Sequence, residues 1–200
     1  MYIVVEGCIG SGKTTLAKLL TEERNSNLIL EQFEGNPFLK QFYLNPSKYA
    51  LETELAFVLI HYHHTFHELQ QVKNGEYISD FHISKDLLFA EMNLNKEDLA
   101  LFRSLYSAPT RRLPKPDVMV YLKCSDELIL KRIKQRNQGN ENSIDPEYFV
   151  KLNNRYDKYY AEMNMPKIEV DMNEYDFLEN PASIRWLSNN IDKLAIPHPS

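Results

Sequence analysis

The feature that most constrains this chain is a phosphate-binding loop near its amino terminus. Residues 7–14 read Gly-Cys-Ile-Gly-Ser-Gly-Lys-Thr, an unbroken G-x-x-x-x-G-K-[ST] pattern directly behind the apolar run 2–5. A strand must deliver such a loop and a helix, expected at 15–20, must leave it, so that backbone N–H groups and the helix dipole converge on a polyphosphate. The residues expected to hold a nucleotide are Gly7, Cys8, Ile9, Gly10, Ser11, Gly12, Lys13, Thr14 and Thr15.

The composition bounds both the fold and the kind of ligand. With 200 residues and 43% hydrophobic content, the chain is large enough for one compact core, and no linker or internal repeat divides it. We therefore expect a single domain over residues 1–200. The formal net charge of −5 argues against a nucleic acid or a membrane as partner, because both normally require a clustered positive surface. Small molecules are the expected ligands.

The cysteines and the apolar segments indicate a cytoplasmic protein. Cys8 and Cys124 are far apart in the sequence and fit neither a disulfide framework nor a metal knuckle. No apolar stretch approaches the length that spans a membrane. The chain starts directly with its first strand, which is expected to leave no room for a signal or transit segment.

Apolar periodicity predicts strands that alternate with helices. The strands are 2–5, 27–31, 76–80, 118–122 and 167–170, and the continuous apolar run 118–122 is expected to be central. The helices are 15–20, 46–73, 84–92, 95–106, 125–136, 145–163 and 181–194, with a stiff connector at 109–116. This alternation indicates the α/β three-layer fold of P-loop NTPases. A five-stranded parallel sheet is flanked by helices, and ligands gather at the carboxyl ends of its strands.

Residues that follow the strands carry the expected chemistry. Lys13 would reach the β- and γ-phosphates of a nucleotide, and Thr14 would offer its hydroxyl to Mg²⁺. Asp80 ends a strand where a carboxylate can hold the metal or its water. Glu31 also ends a predicted strand and is suited to accept the proton of an attacking alcohol. The alternatives are a strand-end aspartate that caps a turn and a solvated glutamate.

A helix that carries two arginines resembles a lid. Arg132 and Arg136 lie four residues apart, immediately before the polar residues 137–143, and could fold over a transferring phosphoryl group. A solvated basic helix face explains the pair equally well. The tyrosines of the 148–160 segment are interpreted as core or subunit-interface residues.

These motifs, in this order and spacing from Tyr2 to about Phe177, resemble those of bacterial members of the deoxynucleoside kinase family. The resemblance implies that Glu31, in the sequence Leu-Glu-Gln-Phe, is the general base for a nucleoside 5′-hydroxyl. It assigns the sugar 3′-hydroxyl to Tyr43 and Glu141, and places Phe89 near the nucleobase.

The same resemblance extends to the phosphate donor and to assembly. It implies that Arg132 and Arg136 belong to a lid over about 132–144, and that Asp176 and Phe177 lie against the adenine of ATP. It also implies Mg²⁺ as cofactor, a homodimer, and a weak preference for purine deoxynucleosides, especially deoxyadenosine.

The departures from the family pattern lie around the nucleobase. Glu54 stands where a glutamine often reads the base edge, and an ionised carboxylate accepts hydrogen bonds without donating any. His61 stands where an arginine is common, and its usual aspartate partner is read as replaced by Lys85. The motif after the third strand lacks the arginine that positions the general base, for which Lys85 or Arg111 is the candidate substitute. Gln138 replaces a third lid arginine.

The sequence thus predicts an ATP-dependent deoxynucleoside 5′-kinase, with two alternatives. A nucleoside monophosphate kinase such as a thymidylate kinase would place basic residues around the acceptor phosphate. The acceptor region instead offers Glu31, Tyr43, Glu54 and Glu141, an acidic and hydroxyl-bearing set. A noncatalytic subunit that keeps the fold would not need both Lys13 and Glu31.

Overall fold

Five parallel strands form one sheet in the computed structural model, which describes residues 1–71, 75–136 and 144–195. The order across the sheet is β2-β3-β1-β4-β5, and every neighbouring pair is parallel. The five-stranded parallel sheet expected from the sequence is confirmed. The strands are β1 (Tyr2–Gly7), β2 (Asn27–Ile29), β3 (Tyr77–Ser79), β4 (Val118–Lys123) and β5 (Lys167–Asp171).

Eight α-helices cover the sheet within the described residues. They are α1 (Lys13–Arg24), α2 (Leu39–Leu44), α3 (Pro46–Gln71), α4 (Ser84–Asn93), α5 (Lys96–Thr110), α6 (Asp126–Arg136), α7 (Pro146–Glu162) and α8 (Pro181–Leu194). A short 3₁₀ helix spans Phe33–Gly35. Within the described ranges, none of these helices combines the length and the apolar character needed to cross a bilayer.

The middle strand delivers the phosphate loop. All six residues of β1 are buried, and the strand pairs with β3 on one side and β4 on the other, so that Val4 lies between Ser79 and Met119. The predicted interior position of β4 is confirmed, although the middle place belongs to β1. Because the strands are parallel, β1, β2 and β3 end at the same edge of the sheet. The residues that follow them therefore meet there.

The strand β2 is shorter than predicted. It was expected to reach Glu31, but it ends at Ile29 because its partner β3 offers only three residues, the last pair being Ile29 and Ser79. The backbone N–H of Glu31 turns instead to the Asp80 side chain, with an N to Oδ1 distance of 2.7 Å. Glu31 therefore sits in a loop that Asp80 anchors.

Two helical segments differ from the prediction. The helix α2 packs against α3 but has only six residues, too few for apolar periodicity to show. The helix α5 continues through Pro109 to Thr110, where a connector was predicted. Proline in the last turn removes a single N–H donor, so the cost there is small. The Thr110 hydroxyl also donates to Tyr106 O at 2.8 Å, which helps to close the turn.

A second, smaller core joins α3, α4 and α5 beside the main sheet core. Its buried members are Val58, Ile83, Ala90 and Phe102. This core fixes α3 and α4 against each other, and both helices carry side chains of the site described below. Its packing thus controls the geometry of the site.

We predict that Phe102→Ala lowers the free energy of unfolding by about 3–5 kcal/mol, because it leaves a cavity under α3. Urea denaturation followed by circular dichroism measures the change. Leu44→Ala is the control for the loss of an exposed apolar side chain: Leu44 is 76% exposed on α2, whereas Phe102 is 0% exposed. Its substitution should cost about 0.5 kcal/mol or less. Equal losses in the two variants would contradict the packing assigned to Phe102.

Candidate active site

The phosphate loop has the backbone shape that its glycines permit. Gly10 and Gly12 have φ angles of 83° and 103°, in the region that L side chains rarely adopt. A Cβ on Gly10 would also lie 3.1 Å from Ile133 Cγ1. Gly12 directly precedes α1, and within the described part of the chain no side chain caps that helix. The first N–H groups of α1 are thus available to an anion.

Other residues of the loop support it from below. Cys8 and Ser11 are buried, and Ile9 packs against the main core. The Lys13 ammonium bends back over the loop, where Nζ donates to Gly7 O at 2.8 Å and to Cys8 O at 3.1 Å. Burial and the nearby charge of Lys85 lower the pKa of Lys13. Phosphate oxygens in the loop would therefore be strong partners for this lysine.

A cavity of ≈ 270 Å³ opens above the loop, and most of the residues that the sequence predicts to bind ATP line it. It is lined by loop residues through Thr15, by both arginines of α6 and by the segment after β5 that contains Asp176 and Phe177. Arg132 Nη1 donates to Ser11 O at 2.8 Å, so that the helix α6 is joined to the loop. Arg136 lines the same cavity. The polar residues 137–143 lie outside the described residues, and with them Gln138, Glu141 and most of the predicted lid.

Aromatic side chains form one wall of this cavity. Phe177 is buried and stacks on Tyr175 at a ring-centroid distance of 5.8 Å, and Tyr175 stacks in turn on Trp186 at 5.3 Å. Asp176 Oδ1 accepts the backbone N–H of Leu178 at 3.0 Å, so this aspartate shapes the loop. Sequence reasoning missed Tyr175, although it is the residue before the Asp-Phe pair.

Thr14 and Asp80 form the oxygen-rich pair expected for a metal. The Thr14 hydroxyl donates to Asp80 Oδ2 at 2.5 Å, while Asp80 Oδ1 holds the Glu31 backbone. A hydroxyl and a carboxylate fit Mg²⁺, which keeps several waters and phosphate oxygens and needs few protein ligands. In the three described ranges, no group of three or more histidine, cysteine, aspartate or glutamate side chains has the geometry to hold a metal.

Glu31 belongs to a buried charge cluster formed with His61, Lys85 and Asp86. Lys85 Nζ lies 2.5 Å from Glu31 Oε2, and His61 Nε2 lies 3.3 Å from Glu31 Oε1. The other ring nitrogen of His61, Nδ1, lies 2.8 Å from Asp86 Oδ1. Carboxylates and cations alternate along this chain of contacts. The cluster connects the loop after β2 to both α3 and α4.

The cluster sets the charge on its members. Burial would raise the pKa of Glu31, but Lys85 and His61 outweigh it and hold that pKa well below its usual range. Burial would lower the pKa of His61, but Asp86 and Glu31 raise it to about 9. At neutral pH, Glu31 is therefore a carboxylate and His61 an imidazolium.

This cluster corrects one prediction and supports another. The interpretation that Lys85 stands in place of the aspartate partner of residue 61 was wrong, because Asp86, next to Lys85, lies 2.8 Å from His61. Adjacent helical residues point about 100° apart, so a one-residue misassignment changes the partner. Lys85 faces Glu31, as expected of a substitute for the missing arginine, whereas Arg111 is exposed at the end of α5.

The residues expected near the nucleobase lie on α2, α3 and α4. Glu54 is buried, and its Oε1 accepts Asn93 Nδ2–H at 2.8 Å. The Tyr148 hydroxyl donates to the other end of the same amide, Asn93 Oδ1, at 3.3 Å. Tyr43 and Phe89 are half-buried, on α2 and α4 respectively. Sequence reasoning missed Asn93. Its assignment of Tyr148 to the core is confirmed, because this side chain packs against the main core.

A buried acid beneath the phosphate loop was also missed. Glu6 Oε2 accepts the Gly7 N–H at 3.0 Å and Oε1 accepts the His82 N–H at 2.7 Å, which ties the loop to the segment before α4. Burial raises the pKa of Glu6 to about 7, although Lys85 and Lys13 oppose the shift. Its one signal in the sequence is a charged residue inside an otherwise apolar strand.

The sheet, the loop and the carboxylates around it define a phosphoryl-transfer site of the P-loop NTPase class. The family model described as "Deoxynucleoside kinase" matches residues 3–196, and the chain belongs to that family. It is 30% identical to a deoxyguanosine kinase of Bacillus subtilis, with 98% of each chain covered. It is 29% identical to a deoxyadenosine/deoxycytidine kinase of the same organism, with 96% of this chain and 91% of the relative covered.

Solved structures show the same fold. A deoxyadenosine kinase from M. mycoides with bound dCMP and dCDP superposes with a TM-score of 0.84 at 22% identity, covering 96% of this chain and 100% of the other. The same protein with dATP superposes with a TM-score of 0.81 at 24% identity and the same coverage.

We predict that Lys85→Met lowers the free energy of unfolding by about 3–5 kcal/mol at neutral pH, because it leaves the Glu31 carboxylate buried beside His61 alone. The pKa of Glu31 is depressed in the folded protein, so its contribution is present above the ordinary value of about 4.3 and fades below it. The loss should therefore stay constant from neutral pH down to about 4.3 and shrink only as the pH falls further. Urea titrations at several pH values measure it. The control is Lys18→Met on an exposed face of α1, and a loss that does not depend on pH would contradict the ion pair.

Proposed function

We propose that this kinase transfers the γ-phosphoryl group of ATP to the 5′-hydroxyl of a deoxynucleoside. The observation that carries the proposal is the Glu31 carboxylate, kept ionised by Lys85 and joined to the phosphate loop through Asp80 and Thr14. A proton acceptor thereby lies beside the place where the phosphoryl group would be transferred. Membership of the deoxynucleoside kinase family supports this reading.

The donor side would bind ATP through the loop and its cavity. Lys13 would exchange its two carbonyl contacts for β- and γ-phosphate oxygens. Arg132 and Arg136 would stabilise the charge that spreads over the transferring group. Asp176 and Phe177, next to the same cavity, would border the adenine of ATP.

Thr14 and Asp80 are the residues that would hold Mg²⁺. When bound, the ion neutralises phosphate charge and orients the transferring group. Asp80 would keep its second oxygen on the Glu31 backbone, so the same side chain fixes the metal site and the general base relative to each other. Because Asp80 contacts both Thr14 and Glu31, we place ATP and the deoxynucleoside at the same edge of the sheet.

On the acceptor side, Glu31 would take the proton of the 5′-hydroxyl, and Lys85 would position it. Because a carboxylate of low pKa is a weak base, catalysis would come mostly from alignment of the two substrates. Tyr43 and Glu141 would hold the sugar, and Phe89 and Glu54 the base. The Phe89 ring already meets Tyr156 edge to face at 6.4 Å, which orients it.

The described acceptor residues also weigh against the alternative of a monophosphate kinase. Glu31, Glu54 and Tyr43 offer carboxyl and hydroxyl groups that suit a neutral nucleoside, and the Glu31 carboxylate would repel a phosphorylated acceptor. For the nucleobase we propose a purine, with deoxyadenosine first; the relatives of the chain include a deoxyguanosine kinase and a deoxyadenosine/deoxycytidine kinase. Small molecules remain the proposed partners, without nucleic acid or membrane.

We further propose one domain over residues 1–200, a cytoplasmic location and a homodimer. The buried, unoxidised Cys8 and Cys124 suit a reducing compartment. The helices α3 and α5 pack side by side and expose Leu59, Leu101 and Leu105. Exposed leucines on two neighbouring helices are the surface we assign to the second copy.

We predict that Glu31→Gln reduces kcat for deoxynucleoside phosphorylation by about 10²-fold or more, because the amide cannot accept the proton. Product monophosphate is measured with MgATP and each deoxynucleoside in turn. ATP binding should persist, since Glu31 lies outside the donor cavity. Glu34→Gln, an exposed change three residues on, is the control. A folded Glu31→Gln protein with the parental rate would refute the role of Glu31.

We also predict that the purified protein has twice the chain mass of 23.5 kDa, and that Leu101→Lys with Leu105→Lys converts it to a monomer. Charged side chains on α5 would be buried at the assigned interface and would prevent association. Light scattering coupled to size-exclusion chromatography measures both masses. A dimer unaffected by the double substitution would place the interface elsewhere.

A further inference from the structure

We propose that Glu54 recognises the nucleobase as a neutral carboxylic acid, and that loss of its proton removes recognition of adenine while recognition of guanine persists. The proposal deepens the proposed function and rests on it, because Glu54 meets a base only if the site binds a nucleoside. It makes Glu54 a specificity-determining residue whose preference depends on pH.

The geometry leaves Oε2 of Glu54 and the second lone pair of Oε1 for a ligand. The residue is only 2% exposed, and Asn93 donates to one lone pair of Oε1 from a distance of 2.8 Å. Oε2 is buried and has no hydrogen-bond partner among the described residues. A buried polar atom without a partner is costly, so such an atom calls for a ligand group that satisfies it.

The amide of Asn93 is itself oriented. Its oxygen accepts the Tyr148 hydroxyl, which turns its NH₂ group towards Glu54. Oε1 of Glu54 is thereby assigned the role of acceptor. When the group is protonated, the proton therefore belongs on Oε2, the oxygen without a partner, which becomes a donor for the ligand.

The charges around Glu54 favour its neutral form. On its own helix it faces His61, on α4 it faces Lys85 and Asp86, and the hydroxyl of Tyr148 comes from α7. Both cations are already paired, Lys85 with Glu31 and His61 with Glu31 and Asp86. The phenol of Tyr43 on α2 interacts with Tyr148 in the same region.

An ionised Glu54 would therefore be a third carboxylate beside two cations. Burial, reinforced by Asp86, raises the pKa of Glu54 to about 8, although Asn93, His61 and Lys85 oppose the shift. Near neutral pH the side chain is a carboxylic acid, with one donor and one acceptor. The ionised form considered from the sequence would only accept hydrogen bonds, whereas the neutral acid also donates one.

The two protonation states match different base edges. Adenine presents an amino donor next to a ring-nitrogen acceptor, which a neutral acid satisfies with its carbonyl and its O–H. A carboxylate offers two acceptors, so it would confront the lone pair of that ring nitrogen. Guanine presents adjacent N–H and NH₂ donors beside a carbonyl oxygen. It can pair with the neutral acid through N–H and carbonyl, and with the carboxylate through its two donors.

The test is a competition between deoxyadenosine and deoxyguanosine, measured as the ratio of their kcat/KM values at pH ~6.5 and ~8.5. Effects of pH on Glu31 or on ATP are common to both substrates and cancel in the ratio. We expect the deoxyadenosine to deoxyguanosine ratio to fall about fourfold, as the neutral fraction of an acid with pKa about 8 falls.

Two variants separate this effect from other causes. In Glu54→Gln the amide keeps one donor and one acceptor at every pH, so the ratio should stay constant. Glu52→Gln makes the same change on the exposed side of α3 and should retain the fall. A constant ratio in the parent protein, or the same fall in Glu54→Gln as in the parent, overturns the inference while leaving kinase activity intact.

The activity of the parent protein and an NMR titration of Glu54 provide two further tests. If the folded parent protein phosphorylates no deoxynucleoside, the proposed function falls and this inference falls with it. If Glu54→Gln does not fold, the carboxyl carbon of Glu54 is titrated by NMR in the labelled parent protein. A midpoint near 8 supports the proposal, and a midpoint near the ordinary value of about 4.3 overturns it.

Discussion

The ion pair between Glu31 and Lys85 is the interaction on which the rest of the site depends. It crosses from the loop after β2 to the helix α4, and it is mostly shielded from water. A buried pair stabilises a fold only when further partners satisfy both ions, and here His61 and Asp80 hold other atoms of Glu31. The position of the carboxylate is thus fixed from the loop side, from α3 and from α4 at once.

The same ion pair also influences a residue that it does not contact. Because Lys85 and His61 are committed to Glu31 and Asp86, Glu54 is left without a counterion of its own in a buried place. The positive charge that keeps Glu31 ionised is therefore unavailable to Glu54. In the roles that we propose for Glu31 and Glu54, catalysis and nucleobase recognition would be coupled through this small set of charges.

How far the sequence predicts the molecule depends on the range of the interaction concerned. The glycines and Lys13 predict the phosphate loop because its shape is set within eight residues, and the apolar runs predict the strands for the same reason. The pairing of His61 with Asp86 depends on which of two adjacent residues of α4 faces α3, which a linear pattern does not encode. The orientation of Asn93 by Tyr148 joins α4 to α7 and has no local signal at all.

The position of a charged group in space matters more for Glu31 than the sequence position that supplies the charge. The resemblance to the family implies an arginine directly after β3 that would position Glu31, whereas the cation that reaches Glu31 in this chain is Lys85, the second residue of α4. An ammonium contacts one oxygen of Glu31, whereas a guanidinium could have held both. The second oxygen is therefore free to meet His61, and the histidine in turn needs Asp86. The Lys85 contact to one oxygen of Glu31 and the His61 contact to the other thus connect this carboxylate to Asp86.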